Sequence, residues 1–411
     1  MTISVNNQSG GVCYNDKIMH KVGIVVQRYG LEINGGAEYH ARLIAEKISQ
    51  DVHVEVFTTT ALNYVTWAHH YPAGGCQVNG IAVHRFNVER ERDPARFGDI
   101  QQRVFEEEHT GEDEDIWLEE EGPLVPELLD TLDSRAEEFD WFIFFSYRYY
   151  HSWHGINRFR EKAILVPTAE HDPVLYLRLF RETFRLPGAI IYNSHEEKAL
   201  INKVSDNGHV PGLIVGVGSE IPDRFDPEGF RRRHSLHSPY AVYIGRLDEN
   251  KGVPELLDFF IRKQSETRRE VHLVMIGKAW IPVPQHPRIH YLGFMPDQEK
   301  FDALKGAEFL IIPSQFESLS MVALEAWALE KPVMANGRTE VLKGQCVRSN
   351  GGLWYTDYPE FAAVWERLAG DRELRLRLGR NGADFFRNSY AWPVIRAKYN
   401  RIFSMLSGER K

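Results

Sequence analysis

Short, continuously apolar runs rich in β-branched residues recur along this chain, most of them separated by stretches of helical periodicity, and the series occurs twice. The first series occupies 22–28, 52–60, 141–147, 163–169, 189–193 and 213–217. Helical spacing intervenes, as at 37–49, where Ala41, Ile44, Ala45 and Ile48 share one stripe. The pattern restarts at 240–244, 272–276, 289–292, 309–313 and 332–335, with helices expected over 254–263, where Pro254 suits the opening turn, and over 318–329. Strands that are apolar on both faces and alternate with helices require a parallel sheet covered on both sides. Two such series in 411 residues predict two doubly wound α/β domains, at 21–219 and 240–388. Segment 220–239, with three prolines, Gly229 and the basic run Arg231, Arg232, Arg233, reads as the linker. Residues 1–20 lack an apolar h-region and read as a flexible tail rather than a secretory signal.

Charge is divided unevenly. Residues 1–224 carry 21 Lys/Arg against 35 Asp/Glu, a net −14, whereas the remainder carries 28 against 23, a net +5. Nearly all of the acid excess lies in 89–140, with 20 acidic residues and five arginines. That insertion reads either as a solvated segment or as a lid over an acceptor site. Its field opposes nucleic acid and anionic membrane, and the basic second half suits a small anionic ligand such as a diphosphate. No apolar run reaches the ~18–20 residues that span a bilayer. Cys13, Cys76 and Cys346 fit neither a disulfide framework nor a metal-ligand spacing, so a reducing cytoplasm is expected.

Three clusters carry chemistry. In 313–332, an apolar strand ends at Pro313, a loop presents Glu317, and a helix expected from about Ser318 aims its free amides at the strand end, which makes a phosphate seat. Glu325, two helical turns on among Ala323, Leu324, Ala326 and Trp327, needs a partner. A ribose diol would serve, and so would a structural salt bridge, with Glu317 then a helix-capping acid. The second cluster, 240–252, is a strand followed by Gly245, Arg246, Lys251 and Gly252. The glycine turn allows close approach, and two cations could neutralise a leaving diphosphate without metal. The third is Gly35-Gly36 opening a helix after the first strand, another close-approach anion seat. No dinucleotide-binding glycine fingerprint is present there.

Together these residues resemble the retaining glycosyltransferases of family 4, which have the GT-B fold of two Rossmann-like domains facing a cleft. The C-terminal half carries the resemblance through Gly245-Arg246-Leu247, Lys251-Gly252, Ile276-Gly277, Gly293-Phe294 and the Glu317…Glu325-Ala326 spacing. The N-terminal half carries it through Gly35-Gly36-Ala37-Glu38 and 166–172. The resemblance implies a sugar transferred from a nucleotide-diphosphate sugar to an acceptor hydroxyl, with retention and without metal or other cofactor. Arg246 and Lys251 would hold the diphosphate, Glu325 the ribose, and the backbone around Leu319, Ser320 and Met321 the phosphate. Gly293 and Phe294 would border the base. Glu317 would face the transferred sugar, and His171 would lie over it from the other domain. The last segment, 389–411, would cross back to the first domain as a helix.

Three departures stand out. Ser320 occupies a position aligned with a usual glycine, so the phosphate turn is tighter or uses a hydroxyl. Asn336-Gly337-Arg338-Thr339-Glu340 replaces a double glycine. The exit of the third run, 146–151, is unusually aromatic, which fits acceptor stacking or core packing. The expected acceptor is a glycan, a lipid-linked or a small-molecule hydroxyl, with peripheral membrane contact left open. The rival readings are a non-catalytic nucleotide-sugar-binding subunit and another enzyme of the same architecture, a nucleotide-sugar epimerase or a glycan phosphorylase.

Overall fold

A computed structural model describes residues 20–409; the sequence reading of 1–20 as a tail, and Cys13 with it, lies almost wholly outside them. The first sheet contains β1 (Lys21–Val25), β2 (His53–Thr59), β3 (Gly74–Val78), β4 (Ile81–Phe86), β5 (Trp141–Phe145), β6 (Ala163–Val166), β7 (Ala189–Tyr192) and β8 (Gly212–Ile214). The second contains β9 (Tyr240–Ile244), β10 (His272–Ile276), β11 (Ile289–Gly293), β12 (Phe309–Ile312), β13 (Val333–Asn336) and β14 (Gly352–Tyr355). Strand orders are β3-β4-β2-β1-β5-β6-β7-β8 and β11-β10-β9-β12-β13-β14. Every pairing is parallel except β3–β4. The central strands are buried along their whole length, as continuous apolar runs demand. The doubly wound α/β expectation therefore holds for both halves.

Apart from the β3–β4 hairpin at the edge of the first sheet, the chain switches its direction of travel between β1 and β5 in the first sheet and between β9 and β12 in the second. Ligands of open α/β sheets bind outside the carboxyl ends of the strands at such a switch. The loops at the first switch hold Gly35, Gly36 and 146–149. Those at the second hold Gly245 to Gly252 and Pro313 to Ser320.

Three strands escape the sequence reading. The β3–β4 hairpin turns at Asn79 and Gly80, both at positive φ (48° and 80°), the Asn-Gly turn whose twist suits a hairpin. β14 is a four-residue edge strand too short for periodicity to reveal. The linker segment contains a helix, Pro227–Arg233, whose Phe230 is fully buried.

The acidic stretch is not a freely solvated insertion. It folds into helices Pro94–Glu106, Gly111–Glu121 and Pro126–Ser134, which bury Trp117, Leu118, Leu128, Leu129 and Leu132 against the first sheet. Its innermost carboxylates are buried with partners. Glu114 accepts the amides of Arg178 and Leu179 (3.1 and 2.9 Å), Glu120 pairs with Arg90 and Arg96, and Glu121 pairs with Arg92 and Arg148. Packing of the apolar stripe overrode the charge count, because the remaining acids point outward.

The last helix, Trp392–Glu409, crosses back to the first domain. Ile395, Tyr399, Ile402, Phe403 and Leu406 form its buried stripe, Phe403 stacks on Trp141 of β5 at 5.1 Å, and Arg396 forks onto Asp51 (2.7 Å for both bonds). A second tie joins the halves where Arg348 bonds Glu196 in two places, at 2.5 and 2.9 Å.

Candidate active site

On the C-terminal wall, β9 ends at Ile244 and the chain turns through Gly245 to Lys251 before the helix Val253–Glu266 begins. Gly252 stands at φ +68° with any Cβ only 2.2 Å from the carbonyl oxygen of Pro313, so the β9 and β12 loops touch there and only glycine fits. This contact brings Lys251 to Glu317: Nζ lies 2.8 Å from Oε1. Arg246 extends alongside, half exposed, with Nε 3.3 Å from Asp248 Oδ2; Asp248 also accepts the backbone amide of Lys251. Burial opposes the charge on Lys251, yet Glu317 and, more weakly, Glu170 hold its ammonium above the ordinary value.

The helix after the β12 loop begins at Met321, not at Ser318 as the sequence implied, and ends at Ala328. Leu319 and Ser320 therefore belong to the loop, with Ser320 in the capping position. The Ser320 hydroxyl is 2% exposed and has no hydrogen-bond partner among the described residues, although it stands at the open end of a helix. Glu325 is buried deeper in that helix. Lys300 of the helix Asp297–Gly306 is its partner, Nζ to Oε1 3.0 Å, and the same ammonium lies 3.1 Å from Asp297. Burial raises the Glu325 carboxyl above the usual range, and Lys300 pulls it back. Of the two partners left open by the sequence, the salt bridge is thus present in the free chain. Gly293, at φ +74° with open space around it, ends β11, and Phe294 beyond it is 68% exposed.

Across the cleft, Gly35 caps the helix Gly36–Ile48. A Cβ on Gly35 would lie 2.2 Å from Glu38 Oε2, whereas one on Gly36 would meet nothing within 4 Å. Glu38 is held by Arg28 (Nε 2.9 Å, Nη2 2.5 Å), so a carboxylate already sits at the first turn that the sequence offered to an anion. Tyr39 of the same helix lies within the field of Asp297, Lys300 and Glu325 of the opposite wall. His171 is exposed on the loop after β6, edge-on to Tyr176 at 5.5 Å.

The neighbour of His171 is the group that faces the second domain. Glu170 lies in the field of Glu317 and Lys251, and burial followed by the Glu317 charge pushes its carboxyl up to about 7. Its loop is pinned from beneath. Glu197, itself buried and pushed up to about 8 mainly by burial, accepts the amide of Ala169 at 2.7 Å, and Thr168 Oγ1 meets Ser146 Oγ at 2.7 Å. Lys251, Glu317, Arg246 and Ser320 therefore gather at one end of the second sheet, with Glu170 opposite. Glu325 and the Gly293–Phe294 turn lie on the neighbouring elements of the same wall. Glu170, Lys300 and Glu197 escape the sequence reading. Glu170 stands inside the 166–172 stretch singled out there, but Lys300 is 25 residues from its partner and leaves no local signal.

Residues 238–371 match the family model described as Glycosyl transferases group 1. The chain is 28% identical over 192 residues to an alpha-D-kanosaminyltransferase of Streptomyces kanamyceticus, which covers 41% of this chain and 44% of that one. It is 32% identical over 199 residues to an MMP alpha-(1->4)-mannosyltransferase of Mycolicibacterium hassiacum, covering 44% and 47%. The chain thus spans about half the length of these curated relatives. Among solved structures it resembles sucrose-phosphate synthase from Thermosynechococcus elongatus (TM-score 0.67, 16% identity, 95% of this chain and all of that one). It also resembles Anabaena Alr3699/HepE in complex with UDP-glucose (TM-score 0.66, 14% identity, 94% and 99%). At these identities the structures speak to the fold, which is the same two-domain arrangement.

Proposed function

We propose that this chain, which belongs to the group 1 glycosyl transferases through residues 238–371 and has the GT-B fold, moves a sugar from a nucleotide-diphosphate sugar to an acceptor hydroxyl. The observation that carries the reading is that Arg246 and Lys251 stand in the β9 loop and the unpartnered Ser320 hydroxyl in the β12 loop, the two loops of the second sheet's switch point, beside an open helix end. Cations and free donors converging there suit a diphosphate. The UDP-glucose complex of the Anabaena neighbour supports the same donor class.

In this reading the diphosphate lies between Arg246, Lys251, Ser320 and the amides from Leu319 to Met321. Glu325 takes the ribose while remaining paired with Lys300, and Gly293 and Phe294 border the base. Lys251 shares its charge between Glu317 and the arriving phosphate, which leaves Glu317 directed at hydroxyls of the transferred sugar. Gly35 and Gly36 let the other wall approach closely, and His171 and Glu170 close the site from the β6 loop. Charge developing on the leaving diphosphate is neutralised by groups already fixed in place, with no metal and no cofactor, and such preorganisation is usually the largest catalytic contribution. Attack of the acceptor hydroxyl from the face that the diphosphate leaves retains the anomeric configuration.

A panel of nucleotide sugars scored by thermal shift tests the donor, since a ligand at 100 times its Kd adds roughly 2.7 kcal/mol of stability. Hydrolysis of the donor that scores, with the anomer of the released sugar read by NMR, tests catalysis and retention together. Binding without hydrolysis or transfer would instead favour a non-catalytic sugar-nucleotide subunit, and an inverted anomer would end the retaining assignment.

A further inference from the structure

The acceptor side of the cleft is formed by the loops that leave β1, β2, β4, β5 and β6. Arg28, Arg90, Arg92 and Arg148 are the arginines of these loops, and each is committed to a carboxylate. Arg28 gives Nε and Nη2 to Glu38 and Nη1 to the carbonyl of Leu62 at 2.6 Å. Arg92 gives Nε to the Glu120 carbonyl (2.9 Å), Nη1 to that of Tyr64 (3.1 Å) and Nη2 to the Glu121 carboxylate (2.8 Å). Arg148 joins Glu121 (2.6 Å) to Asp172 (3.4 Å), and Arg90 bonds Glu120 (2.7 Å). An anionic group entering here meets Arg28 and Arg92 guanidiniums whose three nitrogens are all already engaged, and the Glu170 carboxyl stands within the field of Arg148, a repulsive element of the kind that sets specificity.

What the wall leaves open is suited to hydroxyls. Tyr149 packs its ring edge-on against Trp67 of the β2 loop at 5.8 Å, and its hydroxyl, in the field of Glu38, Glu121, Arg28 and Arg148, makes no hydrogen bond among the described residues. Both Arg28 bonds to Glu38 go to Oε1, and Oε2 receives none from the described residues. Tyr64 lies with its ring 5.3 Å from the Arg28 guanidinium and is 44% exposed, a free aromatic face beside these two groups. A free phenol, a free carboxylate oxygen and an aromatic face are what a pyranose needs: partners for its hydroxyls and a flat surface for its C–H face.

We infer that the acceptor is an uncharged saccharide, bound by Tyr64, Tyr149 and the Arg28–Glu38 pair, and that phosphorylated and diphosphate-linked acceptors are rejected. This rests on the glycosyltransferase reading and names its acceptor class. The engaged guanidiniums of Arg28 and Arg92 separate it from a lipid-diphosphate acceptor, whose charge would compete there with carboxylates already in place.

The test uses the full chain with a donor that it has been seen to hydrolyse, so that a missing donor activity counts against the donor reading and not against this one. Glucose, mannose and maltose are compared as acceptors with glucose 6-phosphate, mannose 6-phosphate and a polyprenyl-diphosphate sugar. Binding is followed by saturation-transfer NMR in the presence of nucleoside diphosphate, and transfer by product analysis. Neutral sugars are expected to bind and to be glycosylated at least about 10-fold more efficiently than their phosphorylated forms. Preference for a phosphorylated or diphosphate-linked member would overturn the inference. Tyr149→Phe and the exposed-site variant Tyr64→Ala are each expected to raise the acceptor KM about 10-fold, the worth of one hydrogen bond or stacking contact. Unchanged KM in Tyr64→Ala together with unchanged KM in Tyr149→Phe would remove the site from this wall.

Discussion

Lys300 Nζ lies 3.0 Å from Glu325 Oε1, so the carboxylate buried in the helix after β12 is neutralised within the free chain before any nucleotide arrives. The pair divides the effects of removing Glu325 into two. Glu325→Ala should weaken binding of nucleoside diphosphate and nucleotide sugar alike, by about 10- to 150-fold if hydrogen bonds of roughly 1.5–3 kcal/mol to the ribose are lost. It should also lower Tm, because Lys300 is left buried without its main partner, a change that costs on the order of 3 kcal/mol. Glu317→Ala should behave differently: diphosphate affinity stays or rises, since Lys251 is released, while kcat falls. Calorimetry with the diphosphate, set beside turnover with the full donor, checks both. Lost affinity in the Glu317 variant with full affinity in the Glu325 variant would reverse the assignments.

Ser320 is the second test. Its hydroxyl is buried without a partner at the open end of the Met321–Ala328 helix, so a ligand phosphate is expected to accept from it. Ser320→Ala should cost about 10-fold in diphosphate affinity with little change in Tm. Affinity equal to that of the parent would mean that the hydroxyl faces away from the ligand.

The pH dependence follows from Glu170 and Glu197, whose carboxyls are pushed up to about 7 and about 8, chiefly by burial. Both values lie above the unfolded value of 4.5, so the stability linked to these groups is complete below about 4.5 and is lost as pH rises through 7 and 8. Tm should fall as pH rises over that interval, and Glu197→Gln should flatten the upper part. For catalysis the sign is the same. Above about 7 the Glu170 charge joins that of Glu317 against the incoming diphosphate, so kcat/KM for the donor should fall with rising pH, and Glu170→Gln should remove that limb. A nucleotide sugar is the right ligand, because its diphosphate does not itself titrate there. An unaltered profile in Glu170→Gln would place Glu170 outside the site.

The paired glycines separate folding from function. Gly35→Ala places a methyl 2.2 Å from Glu38 Oε2 and must disturb the Arg28–Glu38 pair, so both Tm and activity should fall. Gly36→Ala meets open space in a helical position, where alanine is favoured by roughly 0.5–1 kcal/mol. It should leave Tm unchanged or raised and yet reduce turnover, because the space belongs to a ligand. Full activity in Gly36→Ala would show that no ligand passes there.

Turnover should survive millimolar EDTA, since Arg246 and Lys251 supply the positive charge at the diphosphate. Loss of activity restored by Mg²⁺ or Mn²⁺ would show that the two cations do not suffice.

Much of the fold was legible because burial on both faces of a parallel sheet writes itself into the sequence as continuous apolar runs: 141–147 and 309–313 could hardly be anything but central strands. Local chemistry was legible for the same reason, with Gly245, Arg246, Lys251 and Glu317 standing at strand exits where a doubly wound sheet opens its binding cleft. What the sequence could not determine were facts about distance between remote segments. Glu325 announced by its apolar neighbours that it needed a partner, but only the packing of one helix on another decided that the partner is Lys300. The acidic count of 89–140 promised a solvated segment, but the stripe that includes Trp117 and Leu128 folded it onto the sheet and turned Glu121 toward Arg92 and Arg148. Glu170 looked like any loop acid until the second domain set Glu317 and Lys251 before it. Periodicity reports each residue's burial against its own neighbours; the charge that a residue meets across a cleft depends on how two separately folded sheets are held together, and no local pattern encodes that.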